Sequence, residues 1–439
     1  MTALCCGFAA FALGVAVQLN DGALSPGAIL WLTMALLALL LAPVWRREPS
    51  GRAVAAALAT GCAVEGLLLF TRPPGIYLEP GPGGPWPYWA GVALLCALAL
   101  LSAREKRAFP LLLAVHFALG VWVLRSSPNP MIDVVTFQRE AIDHALSGHN
   151  PYAMWFTDPY GGRFPFYGEG LLQNGRVLVG YPYPPLCLAL GIAAQVIAGD
   201  YRFAVLASIT AAAACIALAR PGRVARLAAA LLLLSPRGFF VVEQGWTDPY
   251  VLALGCAVVL CAIRFRRALP WVLGAFFAVK QYAVLAAPLL LLVEKRPWRL
   301  LLQAAIFAGA LTLPFALIDL RAFIDDVVRF QLRQPFRPDA LSFSAWSHAV
   351  GGPVLPGWIS FLALGAAIAL SLAARAPFAA ALALSFCAFF AVGKQAFCNY
   401  YFFVLGLSAC AAGVIPPVSE SHHTAPSSPA APRAASPGG

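Results

Sequence analysis

Long apolar runs separated by short polar turns set the pattern of this chain. Runs at 3–19, 28–45, 53–70, 88–102 and 109–125 each approach the roughly 20 residues that a helix needs to cross a hydrocarbon core. Others end near 218 or occupy 228–242, 250–263, 298–318, 354–374 and 377–392, and a last one closes near 415. Together they predict an all-α, polytopic integral membrane protein of about 12–14 transmembrane helices. Two long stretches, 126–185 and 319–353, break the rhythm with polar residues. The expected organisation is N-terminal membrane helices over 1–108, a membrane core over 109–415 and a disordered tail over 416–439.

The large loop opens with a helix of its own. From Asp133, the residues Thr136, Glu140, Asp143, His144 and Ser147 share one face, while Val134, Phe137, Ala141 and Ala145 share another. Gly148 is placed to end it, and Asn150-Pro151 prevents its continuation. Such a helix lies along a membrane interface, apolar face down. A second interfacial helix is expected where Leu320, Phe323, Ile324 and Val327 oppose Arg321, Asp325, Asp326 and Arg329. Beyond Pro335 the chain through His348 reads as irregular.

Charge then orients the spans. The turns Arg46-Arg47 with Arg52, and Arg104-Glu105-Lys106-Arg107, are basic, whereas Asn20-Asp21 and 73–87 are not. Counting crossings from a cytoplasmic N-terminus puts both basic turns inside and Asp133 outside. Laying 186–199 in the outer interface keeps Arg220, Arg223 and Arg226 inside as well. The run 269–293 poses a sharper choice. As one helix it would leave Lys280 near mid-membrane, at roughly 2.5–3.5 kcal/mol. As two short arms turning at Lys280-Gln281-Tyr282, it keeps Arg266, Arg267, Lys295 and Arg296 inside and turns Lys280 outward.

Composition agrees with a bilayer setting: 61% of residues are hydrophobic and 11% charged, with a mean hydropathy of +0.77. The net charge of +11 sits in short turns rather than on a soluble face, so nucleic acid is not an expected partner. The 11 cysteines are scattered and form no metal-ligand spacing. No metal or cofactor is expected. Met1-Thr2-Ala3-Leu4-Cys5-Cys6 lacks the basic start of a signal peptide and reads as the first membrane helix.

On this topology one face gathers Asp133, Asn150, Tyr152, Tyr181, Tyr183, Gln244, Asp248, Lys280, His348 and Lys394. A carboxylate facing cations and aromatic rings suits sugar transfer from a lipid phosphate: the carboxylate takes the proton of an acceptor hydroxyl. Cations stabilise the charge left on the departing phosphate. Blander readings stand beside this. Asp133 alone caps a helix or pairs with an arginine, Asn-Pro-Tyr is ordinary turn chemistry, and Tyr181-Pro182-Tyr183 is an interfacial anchor. Lys280 is harder to dismiss, because a lysine within an apolar run usually has a function.

Asp133 just after a membrane helix, Gly148-His149-Asn150-Pro151-Tyr152 one surface helix later, and Tyr181-Pro182-Tyr183-Pro184-Pro185-Leu186 at the loop's end resemble the GT-C superfamily of membrane glycosyltransferases. Within it they resemble the polyprenyl-phosphate-mannose-dependent glycosyltransferase family 87. The Gln244 turn, the stretch 274–282 and Glu294-Lys295-Arg296-Pro297-Trp298 are similar too. The resemblance implies an inverting transferase of the plasma membrane, working on the extracytoplasmic face without an obligatory metal. It would move a sugar, mannose in that family, from polyprenyl phosphate to a hydroxyl on a lipid or cell-envelope glycan. It maps the catalytic base onto Asp133, phosphate binding onto Lys280 and Lys394, and a site histidine onto His348. The family's Gly-Gln turn reads Glu243-Gln244 here, with Asp248 following, which is a departure. The alternative class is a transporter or flippase for a lipid-linked glycan, for which paired repeats with interrupted helices would be the sign. None is visible.

Overall fold

The computed structural model describes residues 1–45, 49–79, 81 and 84–416. The basic pair Arg46-Arg47 and the tail from 417 onward lie outside the described residues. The protein is an α-helical membrane protein: among the described residues five helices are long and apolar enough to cross a bilayer, and eight shorter apolar helices stand among them. The first five helices are α1 (Thr2–Leu19), α2 (Pro26–Leu41), α3 (Gly51–Leu69), α4 (Trp86–Ser102) and α5 (Ala108–Ser126). Ser25 and Ser50 begin α2 and α3 by accepting the amides of Ala28 and Ala53, which satisfies donors that a helix start leaves free.

The large loop holds α6 (Asp133–Leu146) and a three-stranded antiparallel sheet of β1 (Phe156–Thr157), β2 (Leu172–Gln173) and β3 (Arg176–Val177), in the order β1-β3-β2. Strands this short carry no alternating signal, so the sequence did not announce them. Helix α6 ends as its residues dictate. Gly148 takes φ +81°, and the amides of Gly148 and His149 return to the carbonyls of Ala145 and His144.

Helix α7 (Pro185–Ala198) starts and finishes at the end of the bundle that carries this loop. Pro182, just before it, accepts from Gln281 and Gln331. Asp200, just after it, holds Arg202 at 2.7 Å, and Arg202 reaches the Glu243 carbonyl at 3.1 Å. Helix α7 therefore lies against α6 at that end instead of passing through. The chain continues into α8 (Arg202–Ala219), then α9 (Arg223–Leu233) and α10 (Gly238–Glu243). The run expected as one span at 228–242 is thus broken around Ser235-Pro236. The imide nitrogen has no N–H to give and its ring clashes with the preceding turn.

From the loop end, α11 (Asp248–Arg264) runs away and α12 (Leu269–Val279) runs back. Lys280 is extended, at φ −155° and ψ 144°, and a 3₁₀ helix over Gln281–Leu292 follows. Gln281 donates to the carbonyls of Pro182 and Val327, which fixes Lys280 at the loop end. The 3₁₀ arm then leads away to α13 (Trp298–Ala316), which returns. A 3₁₀ helix rises about 2.0 Å per residue, so twelve residues reach about 24 Å, where an α-helix would reach about 18 Å. That extra reach relieves the shortness of the second arm.

After α13 come α14 (Leu320–Ile324), a π-helical turn over Asp325–Arg329 and α15 (Phe330–Arg333). The second expected helix is present and ends before Pro335, but the polar face assigned to Asp326 is corrected. The π turn adds a residue to the helical repeat and shifts the phase, so Asp326 turns inward to accept the Gly180 amide at 2.9 Å, while Leu320 and Ile324 remain exposed. The stretch read as irregular contains α16 (Phe343–Ala349), begun by Ser342 accepting from Ala345. Helices α17 (Trp358–Ala373), α18 (Phe378–Ala391) and α19 (Cys398–Val414) close the bundle. Nearly every residue of α19 is buried, whereas α13 is mostly exposed on its flank.

Candidate functional site

Asp133 is the first residue of α6, and its carboxylate accepts the Val134 amide at 2.8 Å. The helix N-terminus favours negative charge there. Its own amide donates to the Tyr160 hydroxyl at 3.2 Å. Burial pushes the Asp133 carboxyl above the usual carboxylate value, against the opposing pull of the Val134 amide, the Arg337 charge and a hydrogen bond from Tyr160. Such a carboxylate is more basic than one in water.

Lys280 forms the site's cationic centre. Its ammonium lies 2.8 Å from Asp248 Oδ2, at the start of α11. Asp248 is fully buried and also accepts from Tyr282 Oη and Asn399 Nδ2, both at 2.6 Å. A buried ion pair is tolerated when its remaining lone pairs are satisfied in this way. Three phenol rings surround the ammonium: Tyr183, Tyr282 and Tyr400 at 5.2, 5.7 and 5.8 Å from ring centroid to Nζ. The charge of Asp133 acts on Tyr183 and Tyr400 from the other side. Tyr183 and Tyr400 therefore stand beside the Lys280 ammonium and within electrostatic reach of Asp133.

The remaining residues singled out from the sequence divide. Tyr183 and Asp248 belong to the site. Tyr181 is buried beneath it, its hydroxyl accepting from Gln138 Nε2 at 2.7 Å. Tyr152 donates to the Tyr183 carbonyl at 2.9 Å, and Asn150 accepts the Tyr152 amide at 3.1 Å. These two set the backbone on which Tyr183 is displayed.

Three others are employed elsewhere. Gln244 donates to Glu243 at 3.0 Å, and Glu243 in turn accepts the amides of Ile76 and Tyr77, so that turn pins the 73–79 segment. Lys394 gives its ammonium to the carbonyls of Leu332 and Gln334 at 2.8 and 2.5 Å, capping the end of α15 where helix carbonyls lack partners. Burial lowers its pKa. His348 is exposed in the last turn of α16, edge-on to Phe336. Lys394 and His348, to which the resemblance gives site roles, make these contacts instead.

Arg337 supplies what Lys394 does not. It reaches Asp133 electrostatically, while Asp339 grips it through two hydrogen bonds of 2.8 and 2.7 Å. Arg337, Tyr160, Tyr282, Asn399 and Tyr400 were not singled out from sequence. Asn399-Tyr400-Tyr401 at the mouth of the last apolar run was the visible signal for part of them. Among the described residues no group of three or more histidine, cysteine or acidic side chains is placed to hold a metal.

The arrangement can take a proton at Asp133 and hold an anion beside Lys280. Asp248 takes one of that lysine's three N–H donors. No family model matches the chain, and neither a curated protein nor a solved structure shows significant similarity to it.

Proposed function

We propose that this protein is an inverting glycosyltransferase of the GT-C type. It takes a sugar, mannose by the family resemblance, from a polyprenyl-phosphate donor at the extracytoplasmic membrane face. The observation that carries the reading is the ring pair Tyr183 and Tyr400, which stands beside the Lys280 ammonium and within electrostatic reach of Asp133. In the step, Asp133 accepts the proton of an acceptor hydroxyl. The acceptor oxygen bonds to the anomeric carbon as the bond from that carbon to the phosphate oxygen breaks. The electron pair leaves on polyprenyl phosphate, whose added charge Lys280 stabilises. Membrane lipid or a cell-envelope glycan provides the hydroxyl.

The fold favours this reading over a flippase. Both charged groups sit at one end of the bundle, whereas an alternating-access carrier places its site near the midplane between repeats. The test is transfer of labelled sugar by the full-length protein in bilayers, with polyprenyl-phosphate mannose, polyprenyl-phosphate glucose or a nucleotide sugar as donor and membrane lipid extract as acceptor. Label should enter the extract from a lipid-phosphate donor alone. Transfer from the nucleotide sugar alone, or from no donor, would remove the proposal.

A further inference from the structure

Beside Asp133 the 158–168 segment builds an aromatic column that the transfer step does not use. Phe164 and Phe166 stack with centroids 5.0 Å apart and planes 8° from parallel. Tyr160 packs edge-on against both, at 5.8 and 5.0 Å. The Arg337 guanidinium lies 3.8 Å from the Phe166 centroid and 4.9 Å from that of Phe397. The order is thus Phe397, Arg337, Phe166, Phe164, and the last ring ends the column 44% exposed.

The column is tied to the chemistry at two points. The Tyr160 hydroxyl receives the amide of Asp133, and Arg337 acts on its carboxylate. The turn that presents Phe164 is built to stay open. Gly161 and Gly162 take φ of +60° and +73°, a region other residues avoid. Asp158 accepts the amides of Tyr160 and Gly162 at 3.0 and 2.6 Å. A phenylalanine that could have folded inward is instead displayed at the end of a rigid stack.

We propose that the open ring of Phe164 is the acceptor platform and that the acceptor is a glycan, a pyranoside ring lying on Phe164 with a hydroxyl directed at Asp133. This deepens the transferase reading and rests on it. The ring face of phenylalanine is electronegative, and one face of a pyranose presents a patch of polarised C–H bonds that fits it. A glycerol or alkyl alcohol has no such face. The exposed Arg163 next to Phe164 supplies hydrogen-bond donors for the sugar's hydroxyls.

The test uses the full-length Asp133→Asn protein in nanodiscs, where binding is read without turnover. Methyl α-mannoside and methyl β-glucoside are compared with glycerol by saturation-transfer NMR, in otherwise unaltered Phe164, Phe164→Leu and Phe164→Trp backgrounds. At least one glycoside should receive saturation through its ring C–H protons while glycerol does not. Leucine should weaken that binding roughly tenfold, and tryptophan should preserve it. Equal binding by the leucine variant would overturn the proposal, because leucine serves a bilayer anchor as well as phenylalanine does. Absence of glycoside binding in the Phe164 protein would overturn it too. Glycoside binding with no transfer by the wild type would instead count against the transferase reading.

Discussion

Burial and Arg337 pull the carboxyl of Asp133 in opposite directions, and burial dominates. If Asp133 is the base, kcat/KM rises with pH through an inflection above the ordinary value of 3.8. Arg337 favours the ionised form, so Arg337→Gln should move that inflection to higher pH; an unmoved or more acidic inflection would break the link between the two residues. Lys280 makes a separate prediction. Lys280→Met strands Asp248, fully buried, without its cation, and should destabilise the protein by about 3–5 kcal/mol. The double variant Lys280→Met with Asp248→Asn should regain most of the thermal midpoint and none of the transfer. Recovery of both would make Lys280 a purely structural residue. Lys280 was legible because a lysine inside an apolar run demands a reason. Its partner Asp248 was singled out as a site residue but not as the lysine's ion-pair partner, and Arg337 was one of several arginines whose stacking depends on Phe166 and Phe397, far apart in sequence.

At the scale of elements, the π turn at Asp325–Arg329 matters most. It aims Asp326 at the Gly180 amide, and burial raises the Asp326 carboxyl from 3.8 to about 7. A group whose folded pKa exceeds its unfolded value binds protons more tightly in the fold. Its stabilising contribution is complete below 3.8 and is lost as pH rises through about 7. The thermal midpoint of the wild type should therefore fall between pH 5 and pH 8 relative to Asp326→Asn, measured in one detergent; parallel curves would refute the assignment. Gly180 is bound to the same contact, since a Cβ there would lie 2.3 Å from Asp326 Oδ2 and 2.5 Å from the Tyr152 carbonyl. Gly180→Ala should displace the Tyr183 segment and lower both stability and transfer.

Element boundaries show what a sequence pattern can and cannot carry. Gly148 ended α6 as its chemistry requires, and Lys280 marked the turn between two arms. The same pattern missed α16, whose start is signalled by Ser342 as an N-cap but whose seven residues are too few for a helical stripe. It also assumed a regular repeat through Asp325–Arg329, where the π turn rotates the phase by about 100°. The two-residue strands were below any periodic signal. These are failures of short-range inference, because cross-chain contacts choose the local state when propensity is weak.

For the whole molecule, the apolar runs alone foretold an α-helical membrane protein, while the convergence of distant polar groups had to come from the fold. Asp21 illustrates this, meeting Arg72 at 3.1 Å and Arg237 at 2.7 Å at the loop end. The proposed orientation puts that end outside the cell. A cysteine at exposed Glu169 should react with a membrane-impermeant maleimide on intact cells, and one at exposed Arg266 only after permeabilisation. The reverse pattern would invert the topology. The central claim is that Asp133 takes the acceptor proton, and Asp133→Asn tests it most directly. Asparagine retains the size and an oxygen able to accept the Val134 amide but cannot act as the base, and transfer from polyprenyl-phosphate mannose by a normally folded variant should fall by about 10²–10⁴-fold. Transfer at the wild-type rate would contradict the account.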